Sequence, residues 1–155
     1  MPITSRQVDL VCESAAAVDD ILEPFAAAFY ARLFQVRPDI QEMFTSDPSV
    51  QARKLATELR RIVSALRDPD RFQRQVRTLG GRHAQYGVEA EHYDITGRVL
   101  LQTFQHELGA AFTPELYDAW AAAWTTIAAI MLEAGASATA TRASATATTD
   151  LAEAV

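Results

Sequence analysis

The stretch Leu79-Gly80-Gly81-Arg82-His83-Ala84-Gln85-Tyr86-Gly87-Val88 ends an apolar helical face on an imidazole. Phe72, Val76, Leu79 and His83 recur at spacings of four, three and four, which places them on one side of a helix pointing inward. An imidazole at the end of such a face needs a partner. It is either a core histidine satisfied by a hydrogen bond or a metal ligand using its second nitrogen. The surrounding chain favours the second.

Helical spacing extends in both directions from this segment, while alternating patterns and β-branched runs are nearly missing, so the fold class is all-α. Toward the N-terminus, Asp68-Pro69-Asp70 starts the His83 helix and stops the one before it. That earlier helix carries Gln51, Leu55, Leu59, Ile62, Val63 and Leu66 on one face, so Gln51 begins an otherwise apolar side. Pro38 and Asp47-Pro48 leave room from Val36 to Ser49 for a short helical turn and a corner holding Phe44. The segment with Leu22, Phe25, Phe29, Tyr30, Leu33 and Phe34 is too aromatic for a surface helix, and Asp19-Asp20 suits its positive end. Thr4 with Gln7 three residues on forms a capping box for a first helix bearing Val8, Val11, Cys12 and Ala15.

Toward the C-terminus, Ile95, Val99, Leu100, Thr103, Phe104 and Leu108 mark another long helix, with Gly109 as terminator. Thr113-Pro114-Glu115 opens the last one, along which Leu116, Trp120, Ala123, Trp124, Ile127 and Met131 follow. After Glu133 the composition collapses to Ala, Thr and Ser. The expected organisation is one domain over residues 1–134 and a mobile tail over 135–155.

A formal charge of −6 argues against an electrostatic grip on nucleic acid or an anionic membrane. No run of eighteen apolar residues and no basic-plus-apolar leader is present, which predicts a cytoplasmic protein without membrane insertion. The lone Cys12 excludes an internal disulfide and reads as a small core filler. His92, at a helix start, reads as solvent-facing, and His106 suits the end of its helix. Trp120 and Trp124 read as packing residues. Tyr30, Gln51, His83 and Tyr93 remain as polar groups in apolar surroundings. A buried flat cofactor explains them: an iron needs an axial imidazole, and a phenol and a carboxamide suit the opposite face, where a bound diatomic gains negative charge.

Four segments together carry a family resemblance. They are Phe29-Tyr30-Ala31-Arg32-Leu33-Phe34 with Arg37-Pro38-Asp39 and Glu42-Met43-Phe44; Gln51-Ala52-Arg53-Lys54-Leu55; Gly81-Arg82-His83 through Tyr86-Gly87-Val88 with His92-Tyr93-Asp94-Ile95-Thr96-Gly97; and Thr113-Pro114-Glu115 with Ala119-Trp120. Over residues 4 to 133 the chain resembles bacterial globins, specifically the haem domain of flavohaemoglobins and their single-domain relatives of the Vitreoscilla type. The resemblance implies a three-over-three helical sandwich enclosing haem b, with His83 as iron ligand. It implies Phe44 packed on the haem plane, Tyr30 and Gln51 as distal hydrogen-bonders, and Leu55 as a distal apolar wall. Leu79 and Val88 join the haem contacts, and Tyr93 tunes the proximal imidazole; Arg53, Lys54, Arg60 and Arg61 read most simply as a solvated helix face, from which Lys54, or else Arg82, can meet a propionate. The glutamate completing the family's proximal network is expected near Ser137, and Glu133 lies one turn too early.

The implied ligands are oxygen, nitric oxide and carbon monoxide. One expected function is nitric oxide dioxygenation; because no flavin or nucleotide unit follows the globin segment, that turnover is expected to need a separate NAD(P)H-dependent reductase. The alternatives are oxygen capture and delivery, haem-based sensing, or a haem-free interaction domain, in each case as a monomer or homodimer.

Overall fold

The computed structural model describes the backbone of residues 2–154 and the side chains of residues 2–142. Its first helix, α1 (Ser5–Ala17), opens at the capping box: the Thr4 Oγ1 accepts from the Gln7 N–H at 3.2 Å, and the Thr4 N–H donates to Gln7 Oε1 at 3.0 Å. A 3₁₀ turn over Asp19–Ile21 leads into α2 (Leu22–Val36), so the acid pair begins a tight turn rather than the helix itself. Pro38 starts the short α3 (Pro38–Gln41), and Pro48 occupies the first turn of α4 (Pro48–Ala65). Asp68 caps α5 (Pro69–Gln85) by accepting from the Arg71 N–H at 3.1 Å. Gly87, at φ +80°, turns the chain toward α6 (Ala90–Leu108). Thr113 Oγ1 then accepts from the Leu116 N–H at 3.2 Å and opens α7 (Pro114–Ala154). No strand occurs among the described residues.

Contacts sort the long helices into two layers. Helices α1, α4 and α5 touch in sequence, as do α2, α6 and α7; the layers meet where α2 crosses α4, and where α7 crosses α1 and α5. This is the three-over-three sandwich. Its centre is aromatic: Phe104 on α6 lies 4.5 Å, centroid to centroid, from both Phe25 and Trp120, and is stacked at 5.2 Å on Phe112.

Two helix faces differ from the sequence expectation. In α4 the most buried line runs through Ala52, Ala56, Ile62 and Ala65, while Leu55, Leu59 and Val63 are half-buried. Alanines let the helix axes approach closely, so the larger side chains are turned to the flanks of the contact. In α5, Phe72, Val76 and Gly80 are buried, but Leu79 and His83 are only half-buried. The apolar face therefore opens at the end where the imidazole stands.

Helix α7 runs past the expected domain boundary at 134. Ala134 and Gly135 are buried, and the bare Gly135 comes close to Ala84 and to the Gly80 carbonyl of α5. Residues 135–142 are thus helix, and its first turn is packed on α5 where a mobile tail was expected; the physical cause is that small residues on both helices permit contact without large apolar side chains. The rest of that expectation, residues 143–155, lies outside the described side chains. Within Pro114–Arg142 an 18-residue window reaches a mean hydropathy of 1.2, enough by length and composition to cross a membrane. Here its large apolar residues Trp120, Ile127 and Met131 are buried within the sandwich instead.

Candidate functional site

His83 sits in the last turn of α5, and its Nδ1 lies 2.9 Å from the Leu79 carbonyl oxygen one turn back. A carbonyl can only accept, so Nδ1 carries the proton and Nε2 is left with a lone pair. Nε2 has no hydrogen-bond partner among the described residues. Burial is the main influence on the ring and pushes its pKa below the ordinary histidine value, while the Leu79 hydrogen bond opposes that shift. The result is a neutral, oriented nitrogen donor, the form an iron or other borderline metal takes up.

Across the fold, α2 supplies Tyr30 from an aromatic nest. Its ring is 5.2 Å from Phe29, 5.6 Å from Phe34 and 5.3 Å from Phe44, the last edge-on. Desolvation pushes the Tyr30 phenol up to about 12, so it stays a proton donor at neutral pH. Its hydroxyl makes no hydrogen bond among the described residues, and neither does the half-buried side chain of Gln51 in the first turn of α4; neither is a buried orphan, so both polar ends reach accessible space. Phe44, Leu55, Leu79 and Val88 are all half-buried, although each packs against the core. Two uncommitted polar donors, one uncommitted imidazole nitrogen and large apolar residues with part of their surface uncovered fit a flat apolar group carrying a metal.

Residues 27–131 match the globin family. The chain is a globin. It is 31% identical over 126 residues to a flavohaemoprotein of Bordetella pertussis, an alignment covering 79% of this globin and 31% of that protein. This globin thus spans about a third of the length of the curated flavohaemoproteins it matches. An engineered carbene transferase built on a provisionally assigned nitric oxide dioxygenase of Rhodothermus marinus superposes with a TM-score of 0.82 at 26% identity, over 91% of this chain and 99% of the other. A bacterial globin from Campylobacter jejuni gives 0.77 at 21% identity, over 86% and 97%, and shows the fold alone.

The remaining site residues of this globin are placed less simply. Tyr93 is buried and its phenol is pushed up to about 12 by desolvation, yet its hydroxyl has no partner among the described residues and the imidazole Nδ1 is already engaged by Leu79. Any tuning of His83 by Tyr93 is therefore not a direct hydrogen bond to Nδ1. Lys54 is exposed with Nζ 3.5 Å from Ser46 Oγ, and Arg82 is exposed with its guanidinium 3.9 Å from Glu58 on α4. Arg82 and Glu58 thus tie α5 to α4 beside the end of α5 that carries His83. Glu133 points away, 3.8 Å from Arg77 and largely exposed, and Ser137 is exposed.

Three residues gain roles that the sequence reading did not assign. Trp124 donates from Nε1 to the Tyr93 carbonyl at 3.0 Å, lying where any Cβ on Gly97 would collide with its indole. Glu58 lies within 3.9 Å of Arg82 and 3.2 Å of Arg61. His92, expected to face solvent, instead accepts the Glu89 N–H on Nδ1 at 2.8 Å. The spacing Glu89-x-x-His92 carried the signal for that cap, but histidine is not the residue usually sought at the third helical position. Cys12 is half-buried as a core filler would be, and burial raises its thiol pKa.

Proposed function

We propose that this globin holds haem b through His83 Nε2 and takes oxygen, nitric oxide or carbon monoxide on the face lined by Tyr30 and Gln51. The observation that carries the reading is the His83 imidazole itself: half-buried, kept neutral, locked by Leu79 and uncommitted at Nε2. Haem would supply an iron able to bind diatomic gases. The chain's own part is to fix one axial nitrogen, offer the Tyr30 phenol and the Gln51 carboxamide to a partly anionic ligand, and keep water away with Phe44, Leu55 and Val88. Lys54, and Arg82 once it leaves Glu58, are the cations available to the propionates.

Absorption spectra of the ferric, dithionite-reduced and carbon-monoxide forms test this directly. The expected result is a Soret band that moves on reduction and again on carbon monoxide binding, and that is lost or altered in His83→Gly. A chain that takes up no haem on reconstitution overturns the reading and leaves an interaction domain.

Similarity to flavohaemoproteins and to the Rhodothermus protein supports nitric oxide dioxygenation, with electrons delivered by an NAD(P)H-dependent reductase, over simple oxygen delivery. Nitric oxide consumption that continues over many turnovers with NADH and a generic flavin reductase is the expected result. Consumption that stops after one equivalent assigns the protein to oxygen capture or sensing.

A further inference from the structure

The corner between α5 and α6 is tied at both ends. At its start the His83 carbonyl accepts the N–H groups of Tyr86 at 3.0 Å and Val88 at 3.3 Å. At its end the next N–H, that of Glu89, donates to His92 Nδ1 at 2.8 Å. The tie at Glu89 is the half of a capping box in which the third helical residue reaches back to the N-cap amide, a job normally done by the carbonyl or carboxylate of Gln or Glu. An imidazole nitrogen can do it only while unprotonated, so His92 is held as the neutral tautomer with its proton on Nε2.

We propose that His92 is a positioning residue for His83, clasping the corner that carries the axial histidine when neutral and releasing it when protonated. The inference rests on the haem reading only for its consequence at the iron. Charged groups around the ring make the released state reachable. Glu91 Oε1 lies 4.0 Å from His92 Nε2, and Asp39 of the α3 corner belongs to the same charge group, its carboxyl held low chiefly by Arg37 and in small part by the charge of His92. Arg37 sits between them, 2.7 Å from Asp39 and 3.5 Å from Glu91, and takes up part of that negative charge. The positive end of α6 opposes an imidazolium in the capping position. A protonated His92 therefore gains by turning from the helix end toward the carboxylates, which leaves the Glu89 N–H without its acceptor.

The test uses the full chain, ¹⁵N-labelled, in its ferrous carbon-monoxide form, or haem-free should it bind no haem. As pH is lowered, the Glu89 amide resonance is expected to move together with the His92 ring signals. Haem transfer from the ferric protein to a scavenging apoglobin is expected to rise roughly fivefold along the same curve, the size of one lost cap. His92→Gln, whose carbonyl accepts the amide at every pH, should remove this step and keep the slow rate; His92→Ala should show the fast rate throughout. A Gln variant that retains the wild-type pH profile, or a Glu89 amide indifferent to His92, overturns the proposal. A clasp that titrates in a chain lacking haem supports the positioning of the corner while defeating the haem reading.

Discussion

At the residue scale the site depends on which nitrogen and which oxygens are left without protein partners. His83 spends Nδ1 on Leu79 and keeps Nε2, and its pKa is lowered by burial. The sign of the resulting pH dependence follows from linkage. The unfolded chain takes up a proton near the ordinary value of about 6.5 while the folded imidazole resists it, so this contribution to stability is complete above that value and is lost as pH falls below it. Acid titration followed by circular dichroism should show that loss, and His83→Gln should lack its part of it. Among the described residues the Tyr30 hydroxyl has no partner to return to, so Tyr30→Phe removes a donor without leaving an unpaired one behind. Stopped-flow measurement should find oxygen leaving roughly tenfold faster, the value of one good hydrogen bond.

At the element scale, bare backbone sets how close the helices lie. A Cβ on Gly80 would stand 2.5 Å from the Met131 carbonyl oxygen and 2.6 Å from its Cα. Those atoms are backbone, so α5 and α7 would have to separate. Gly80→Ala is expected to destabilise the fold by roughly 1–3 kcal/mol, and, since His83 follows three residues later, to weaken haem retention as well. Denaturant unfolding measures the first effect and haem transfer the second. A stabilised Gly80→Ala variant, the usual outcome of that exchange in an open helix, would mean that the two helices do not meet this closely.

At the scale of the whole molecule, stability comes from the aromatic centre more than from the surface charges. Phe104 touches Phe25, Phe112 and Trp120, tying α2, α6 and α7 together within one layer. Phe104→Ala should cost about 3–5 kcal/mol in chemical denaturation. The Arg6–Glu115 pair does link the two layers, at 3.2 Å, but both side chains are more than half exposed. Glu115→Gln should therefore move the melting temperature far less than Phe104→Ala, and less still at high salt.

Much of this molecule was legible without coordinates because the signals are local. The Thr4 box, the Asp68 and Thr113 caps, the four prolines that open helices (Pro38, Pro48, Pro69 and Pro114) and the glycine stops all act within four residues, and helical periodicity alone picked out the chain's long helices. The candidate ligand was legible for the same reason, since His83 completes a face that can be counted along one helix. What depends on atoms far apart in the chain was not. Only tertiary structure decided that alanines would form the deepest line of α4, that α7 would stay packed on α5 beyond residue 134, and that Arg82 would pair with Glu58. Periodicity gives the direction of a side chain about its own axis; how near the facing helix comes, and which charge it carries there, is set by packing between segments whose separation in sequence no local pattern records.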